Sequence, residues 1–241
     1  MKKITLIFSF VGLFSFTSCD QVPDLVPQGL STDDIIKGLK EALNVSTDTS
    51  VSTLHALDGY YLDETVKILL PPEASVIFDN LSKIPGGTQL VDETIKAINR
   101  SAEDAAIEAK PIFLNAITNM TFSDATAILK GNDSSATDYL RTNTYDDLKA
   151  AFAPKITASL SKPLIGSTSA ESLYQGLVDK YNVIANASFG LIKPITQNTL
   201  GEYTTQKALD GLFKKVTIEE GKIRNNISHQ VSDILKKVFG G

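Results

Sequence analysis

One cysteine, two histidines and three arginines are all that the 241 residues hold of those types. Each scarcity excludes something. A single cysteine closes no disulfide within the chain. His55 and His229 have no ligand-like neighbour four residues on and no cysteine nearby, so a histidine-based zinc site is not expected. There is no Gly-x-x-x-x-Gly-Lys loop, no Gly-x-Gly-x-x-Gly turn and no Gly-x-Ser-x-Gly elbow. Residues 131–138 (GNDSSATD) set carboxylates beside hydroxyls, but not at calcium-loop spacing, and read as a helix-capping turn. No cofactor and no metal are expected. Beyond the first residues, no segment reaches the ~20 uncharged apolar residues that span a bilayer.

What is present begins at the N-terminus. Lys2 and Lys3 precede an uncharged run from Ile4 to Phe16, then small Thr17 and Ser18. This is the pattern of a secretion signal over residues 1–18. It ends in Phe16-Thr17-Ser18-Cys19, which resembles a bacterial lipobox, with Phe16 where Leu is usual. That resemblance implies a lipid thioether on Cys19 and partnership with a membrane. The domain is then expected outside the cytoplasm, lipid-anchored in the cell envelope, on either the inner or the outer membrane. Each buried lipid CH₂ contributes ~0.8 kcal/mol, so several chains make a firm anchor. Without residues 1–18 the chain has 21 basic and 28 acidic residues. That balance argues against general nucleic-acid binding, which depends on basic surface.

Residues 19–30 carry Pro23, Pro27 and Gly29 and read as a tether. Residues 31–241 are expected to form one all-α, bundle-like domain of roughly eight to ten helices. Ser31 with Asp34 opens the first helix, expected to reach about Leu57. Residues 66–70 read as a strand or an extended linker, and a helix is expected from Pro72 to before Pro85. Val91, Ile95, Ile98, Ala102, Ala105, Ala109, Ile112, Phe113 and Ala116 share one helical stripe. Pro111 interrupts this long central helix, so a kink near 107–111 or two abutting helices is expected. Further helices are expected at about 123–130, 134–142, 144–160, 169–187, 201–226 and 228–239. Asp133 or Ser134, Thr144 and Ser228 are the candidate caps, and 188–199 reads as a loop.

Leu209, Phe213, Val216, Glu220, Ile223 and Ile227 form a second stripe, and Glu220 stands where an apolar residue belongs. A buried carboxylate without a partner is costly. Arg224, one turn on, is the first candidate partner; Arg100 and Arg141 are the cross-helix alternatives. In a chain of twenty lysines, arginine points to sites that need a planar, bidentate donor. Asn99, Glu103 and Lys110 flank the alanine stripe and can join the same polar network. Tyr139 and Tyr203 are candidate phenol donors, with core packing the alternative.

Several segments together resemble one bacterial family, the domain of unknown function 4197. They are LKEAL (39–43), INRSAEDAAIEAKPIF (98–113), SDATAILKGNDSSATDYLR (123–141), YTTQKALDGLFKKV (203–216), EEGKIR (219–224) and LKKVFG (235–240). The resemblance covers nearly the whole chain after the leader. Asn225-Asn226 departs from the usual Asn-Pro, and 160–200 matches weakly. It implies an exported or lipid-anchored all-helical protein and carries no activity with it. Three functions stay open. The first is a non-catalytic module that binds an envelope protein or a small ligand. The second is an envelope hydrolase that uses Glu220 and Glu103 with arginine support. The third is a carrier of an apolar molecule.

Overall fold

The computed structural model describes residues 30–163, 167–196 and 199–240. The leader, Cys19 and the tether up to residue 29 lie outside the described residues. Ser31 opens the first helix. Its hydroxyl accepts from Asp34 N and the Asp34 carboxylate accepts from Ser31 N, each at 3.1 Å. This reciprocal box satisfies donors that a helix start leaves unpaired. Helix α1 then runs Thr32–His55 and buries Ile35, Leu39, Leu43, Val51 and Leu54.

Residues 67–70 lie outside any helix, after a turn in which Val66 N and Lys67 N both donate to Asp63 O. Val66, Ile68 and Leu70 are buried while Leu69 faces out, a period of two. Among the described residues no strand pairs with this segment. The buried Asn99 amide stands in for one: Nδ2 donates to Ile68 O at 2.7 Å, and Oδ1 accepts from Ile68 N at 2.9 Å. The single helix expected from Pro72 is instead three short pieces. These are a 3₁₀ turn Pro72–Ala74, helix α2 Val76–Asp79 and a 3₁₀ turn Leu81–Lys83. Asn80, at φ −115°, steps out of helical geometry between the last two.

The central stripe divides into α3 (Gly87–Ala106) and α4 (Ala109–Thr118). The proline ring clashes with the carbonyl four residues back, that of Ile107, and the helix breaks there. Pro111 itself lies in the first turn of α4, where no intrahelical partner awaits its missing N–H. Ala102, Ala105 and Ala109 are fully buried.

Next come α5 (Phe122–Lys130), α6 (Ser135–Leu160), α7 (Ala170–Ala187), α8 (Leu200–Asn225), a 3₁₀ turn Ile227–His229 and α9 (Asp233–Phe239). Two boundaries correct the sequence reading. The expected helices 134–142 and 144–160 are one. Thr142, Asn143 and Thr144 each donate a side-chain bond to the carbonyl four residues back, so these residues decorate the helix instead of capping a new one. The last helix starts after Ser232, not Ser228, because Asn226 Oδ1 draws Ser228 into the 3₁₀ turn first. Ile227 therefore lies past the end of α8 and is exposed.

Helix α8 packs on α1, α3 and α6; α3 also meets α6 and α7. Helix α4 bridges α1 and α6, α5 lies on α1 and α6, and α9 covers α1. The α1–α9 approach needs glycine, since a Cβ on Gly38 would fall 2.5 Å from Val238 Cγ2. One apolar core runs through these elements. The described residues thus form an all-α fold of nine α-helices.

Candidate functional site

Glu220 lies on the buried face of α8 at 5% exposure. The helix places it between Val216 and Ile223, and its carboxylate reaches across to the start of α6. Oε1 accepts from Ala136 N at 2.9 Å and from Arg224 Nε at 3.0 Å. Oε2 accepts from Thr137 N and Thr137 Oγ1, both at 2.8 Å. Ala136 and Thr137 are in the first turn of α6, whose own N-cap residue, Ser134, makes no capping bond. Glu220 is therefore the N-terminal cap of α6, supplied from another helix, and its charge faces the positive end of the α6 dipole. Arg224 in turn donates through Nη2 to Ile128 O, near the end of α5, at 3.0 Å. Together Glu220 and Arg224 hold both sides of the α5–α6 turn.

Glu103 on α3 repeats the arrangement. Oε1 accepts from the backbone N–H of Tyr60 and of Tyr61, each at 3.2 Å. Arg100 donates to Glu103 Oε2 at 2.5 Å and to Asp58 at 2.6 Å. Asp58 has a positive φ of 69° in the turn after α1, so this arginine–glutamate pair ties that left-handed residue and the following Tyr60–Tyr61 backbone to α3. Burial opposes the Arg100 charge, but its bonds to Glu103 and Asp58 outweigh that and raise its pKa. Tyr60, fully buried, donates to Ala208 O at 2.8 Å. Burial first, then the Glu103 charge, pushes its phenol pKa up. Asn99, on the same helix, holds Ile68 as described above.

The remaining candidates do not join these groups. Glu103 and Glu220 share no hydrogen-bond partner. Neither Arg100 nor Arg141 pairs with Glu220. Arg141 is half exposed, lies 4.5 Å over the Phe213 ring and is 3.9 Å from Asp210. Lys110 pairs with Asp48 at the surface. Tyr139 Oη contacts Ala116 O at 3.4 Å, and its pKa is raised by burial and then by Asp124. Tyr203 lines an open depression of about 290 Å³ with Lys207, Lys214 and residues 65–69. Its pKa is raised by burial and then by Glu73. A cavity between α1, α8 and α9, bordered by Glu220 and Arg224, holds about 10 Å³, no more than one water.

Sequence reasoning missed the backbone donors at Tyr60, Tyr61, Ala136 and Thr137. One signal was available for α6: no Glu or Gln stands at Thr137, three residues after Ser134, so the start of this helix lacked a local capping box. Chemically, Glu220 receives four protein donors and Glu103 three. A general acid or base needs an open direction toward substrate; the bonds take about four acceptor sites on Glu220 and three on Glu103.

Residues 29–240 match the family described as Protein of unknown function (DUF4197), and the chain belongs to that family. No curated protein and no solved structure matches it.

Proposed function

We propose that this member of the family is a lipid-anchored helical module of the cell envelope, which binds a partner protein or small ligand and performs no catalysis. The commitment of both buried glutamates to bonds within the fold carries this reading. These two carboxylates were the candidate acid–base pair, and their donors are backbone N–H groups, arginine and, for Glu220, the Thr137 hydroxyl. The small cavity beside Glu220 fits the same reading better than it fits a carrier, whose helices would surround an apolar volume of ligand size. The open depression beside Tyr203, with Lys207 and Lys214 at its border, is the surface we assign to the ligand or partner.

Anchoring is supported by the Lys2-Lys3 leader and the lone Cys19 that follows its small residues. The test is metabolic labelling with a radioactive fatty acid in a bacterial host. Label on the parent chain and none on Cys19→Ala is the expected result. An unlabelled parent chain would refute the anchor.

A further inference from the structure

Helix α7 ends in a turn that holds two large apolar side chains in water. Phe189 is 100% exposed and Leu191 is 90% exposed, with Val183 at 72% on the helix behind them. The backbone there is left-handed twice in succession, at Phe189 (φ 54°) and Gly190 (φ 86°). A bulky L-residue rarely adopts that conformation. The turn is nonetheless firmly built. Ser188 Oγ accepts from Ile192 N at 2.9 Å and donates to Ala185 O at 2.6 Å. Tyr181 Oη donates to Lys193 O at 3.0 Å, and the Asn182 amide bonds both N and O of Ile195, at 2.8 and 2.9 Å. So the fold spends five bonds to display Phe189 and Leu191, not to bury them.

We propose that this tip is a second membrane contact, in which Phe189 and Leu191 enter the boundary between headgroups and acyl chains. Charge selects a bilayer over a protein as occupant. Between Asp179 and Glu202 the sequence has no carboxylate, and its only charges are Lys180 and Lys193; Asp79, a carboxylate that acts on this segment from another element, does so on Tyr181 at its base and not at the tip. Both lysines are exposed. An apolar tip flanked by lysines matches an anionic lipid surface: the rings and branches enter, and the ammonium groups stay among the headgroups. Proximity comes from the anchored reading, on which this part of the argument rests. Ten residues separate Cys19 from Leu30, and at full extension they reach about 35 Å. An anchored domain never leaves the neighbourhood of the bilayer.

The test uses the full chain with Leu191→Cys carrying an environment-sensitive NBD dye. Lys149→Cys, on the exposed face of α6, is the control, and the parent protein treated with the same dye is the blank. Each is mixed with phosphatidylcholine–phosphatidylglycerol vesicles containing shallow doxyl-labelled lipid. A blue shift with doxyl quenching at position 191 and none at 149 is expected, and adding Phe189→Ser should weaken it. Mass spectrometry of the Cys19 peptide reads the anchor separately. A lipidated protein that floats with vesicles but shows no shift at 191 overturns the tip and leaves the anchor intact. An unlipidated protein that still shifts upholds the tip and removes the anchor. A shift that appears only when envelope proteins are added to the vesicles overturns the bilayer as occupant in favour of a protein.

Discussion

Replacing Glu220 with alanine strips four hydrogen bonds at once. Two of the donors, Ala136 N and Thr137 N, belong to a buried first turn whose N-cap residue, Ser134, makes no capping bond. The third is the Thr137 hydroxyl, and the fourth is Arg224, whose side chain is 11% exposed. Breaking a buried pair by removing one member costs about 3–5 kcal/mol. Loss of a helix cap alone costs about 1 kcal/mol, so the upper half of that range is expected. For a chain of this size each kcal/mol moves the melting temperature by about 2–4 °C, and the whole change should be about 8–20 °C. Glu220→Gln separates a cap from a catalytic group. Both oxygens accept two bonds, so either orientation of the amide points an NH₂ at donors. About 2–3 kcal/mol should be lost although shape is kept. Urea denaturation followed by far-UV circular dichroism reads both variants. A loss below about 0.5 kcal/mol in Glu220→Ala, the range of a solvated surface residue, would refute the capping role.

Other expectations follow from the same geometry. Arg224→Lys keeps the charge but cannot bond Glu220 and Ile128 O with one planar group; a loss of about 1–2 kcal/mol is expected in the same denaturation assay, and an unchanged midpoint would count against the shared clamp. Ala105→Leu overpacks a fully buried position on α3 and should cost about 1–3 kcal/mol; an unaffected midpoint would mean that the stripe tolerates bulk. Asp63 ties the 56–71 segment to α8 through Lys215 at 2.7 Å. Its burial raises the pKa, but the bonds from Lys215 and Thr65 outweigh that and bring it down to about 2. A depressed carboxylate stabilises the fold in full above its ordinary pKa near 3.8 and loses that contribution as pH falls toward about 2. Asp63→Asn should therefore flatten the decline of stability between about pH 4 and about pH 2. A parent and variant that decline in parallel would show that Asp63 is not the group that titrates.

Local chemistry was the legible part. The capping box at Ser31 and Asp34 placed the start of α1, and the proline ring at 111 placed the break between α3 and α4, because each acts within four residues. Thr142-Asn143-Thr144 misled for a related reason. The groups that cap a helix can equally bond back onto one, and only the surrounding packing decides which. The prominence of Glu220 was visible from its stripe. Its role was not, since the groups it satisfies are backbone N–H donors more than eighty positions earlier and leave no trace in residue identity. Arg141 shows the same limit in reverse. A rare arginine reads as the partner of a buried carboxylate, while its guanidinium lies half exposed over the buried Phe213 ring and pairs with Asp210, itself half exposed.

The clamp on the α5–α6 turn has a temporal side. Glu220 lies 84 positions after Ala136, and Arg224 lies 96 after Ile128. A chain that emerges N-terminus first therefore presents α5 and α6 complete, yet with the buried ends of both still open to water. Contacts of such long separation form late, because a large loop must close before they give any return. The corner stays frayed until the last long helix arrives, and then both ends close together. A product cut short before residue 220 would keep every residue of that corner and still leave it loose, a ready entry point for proteases. In this way the far end of the chain decides whether its middle is finished.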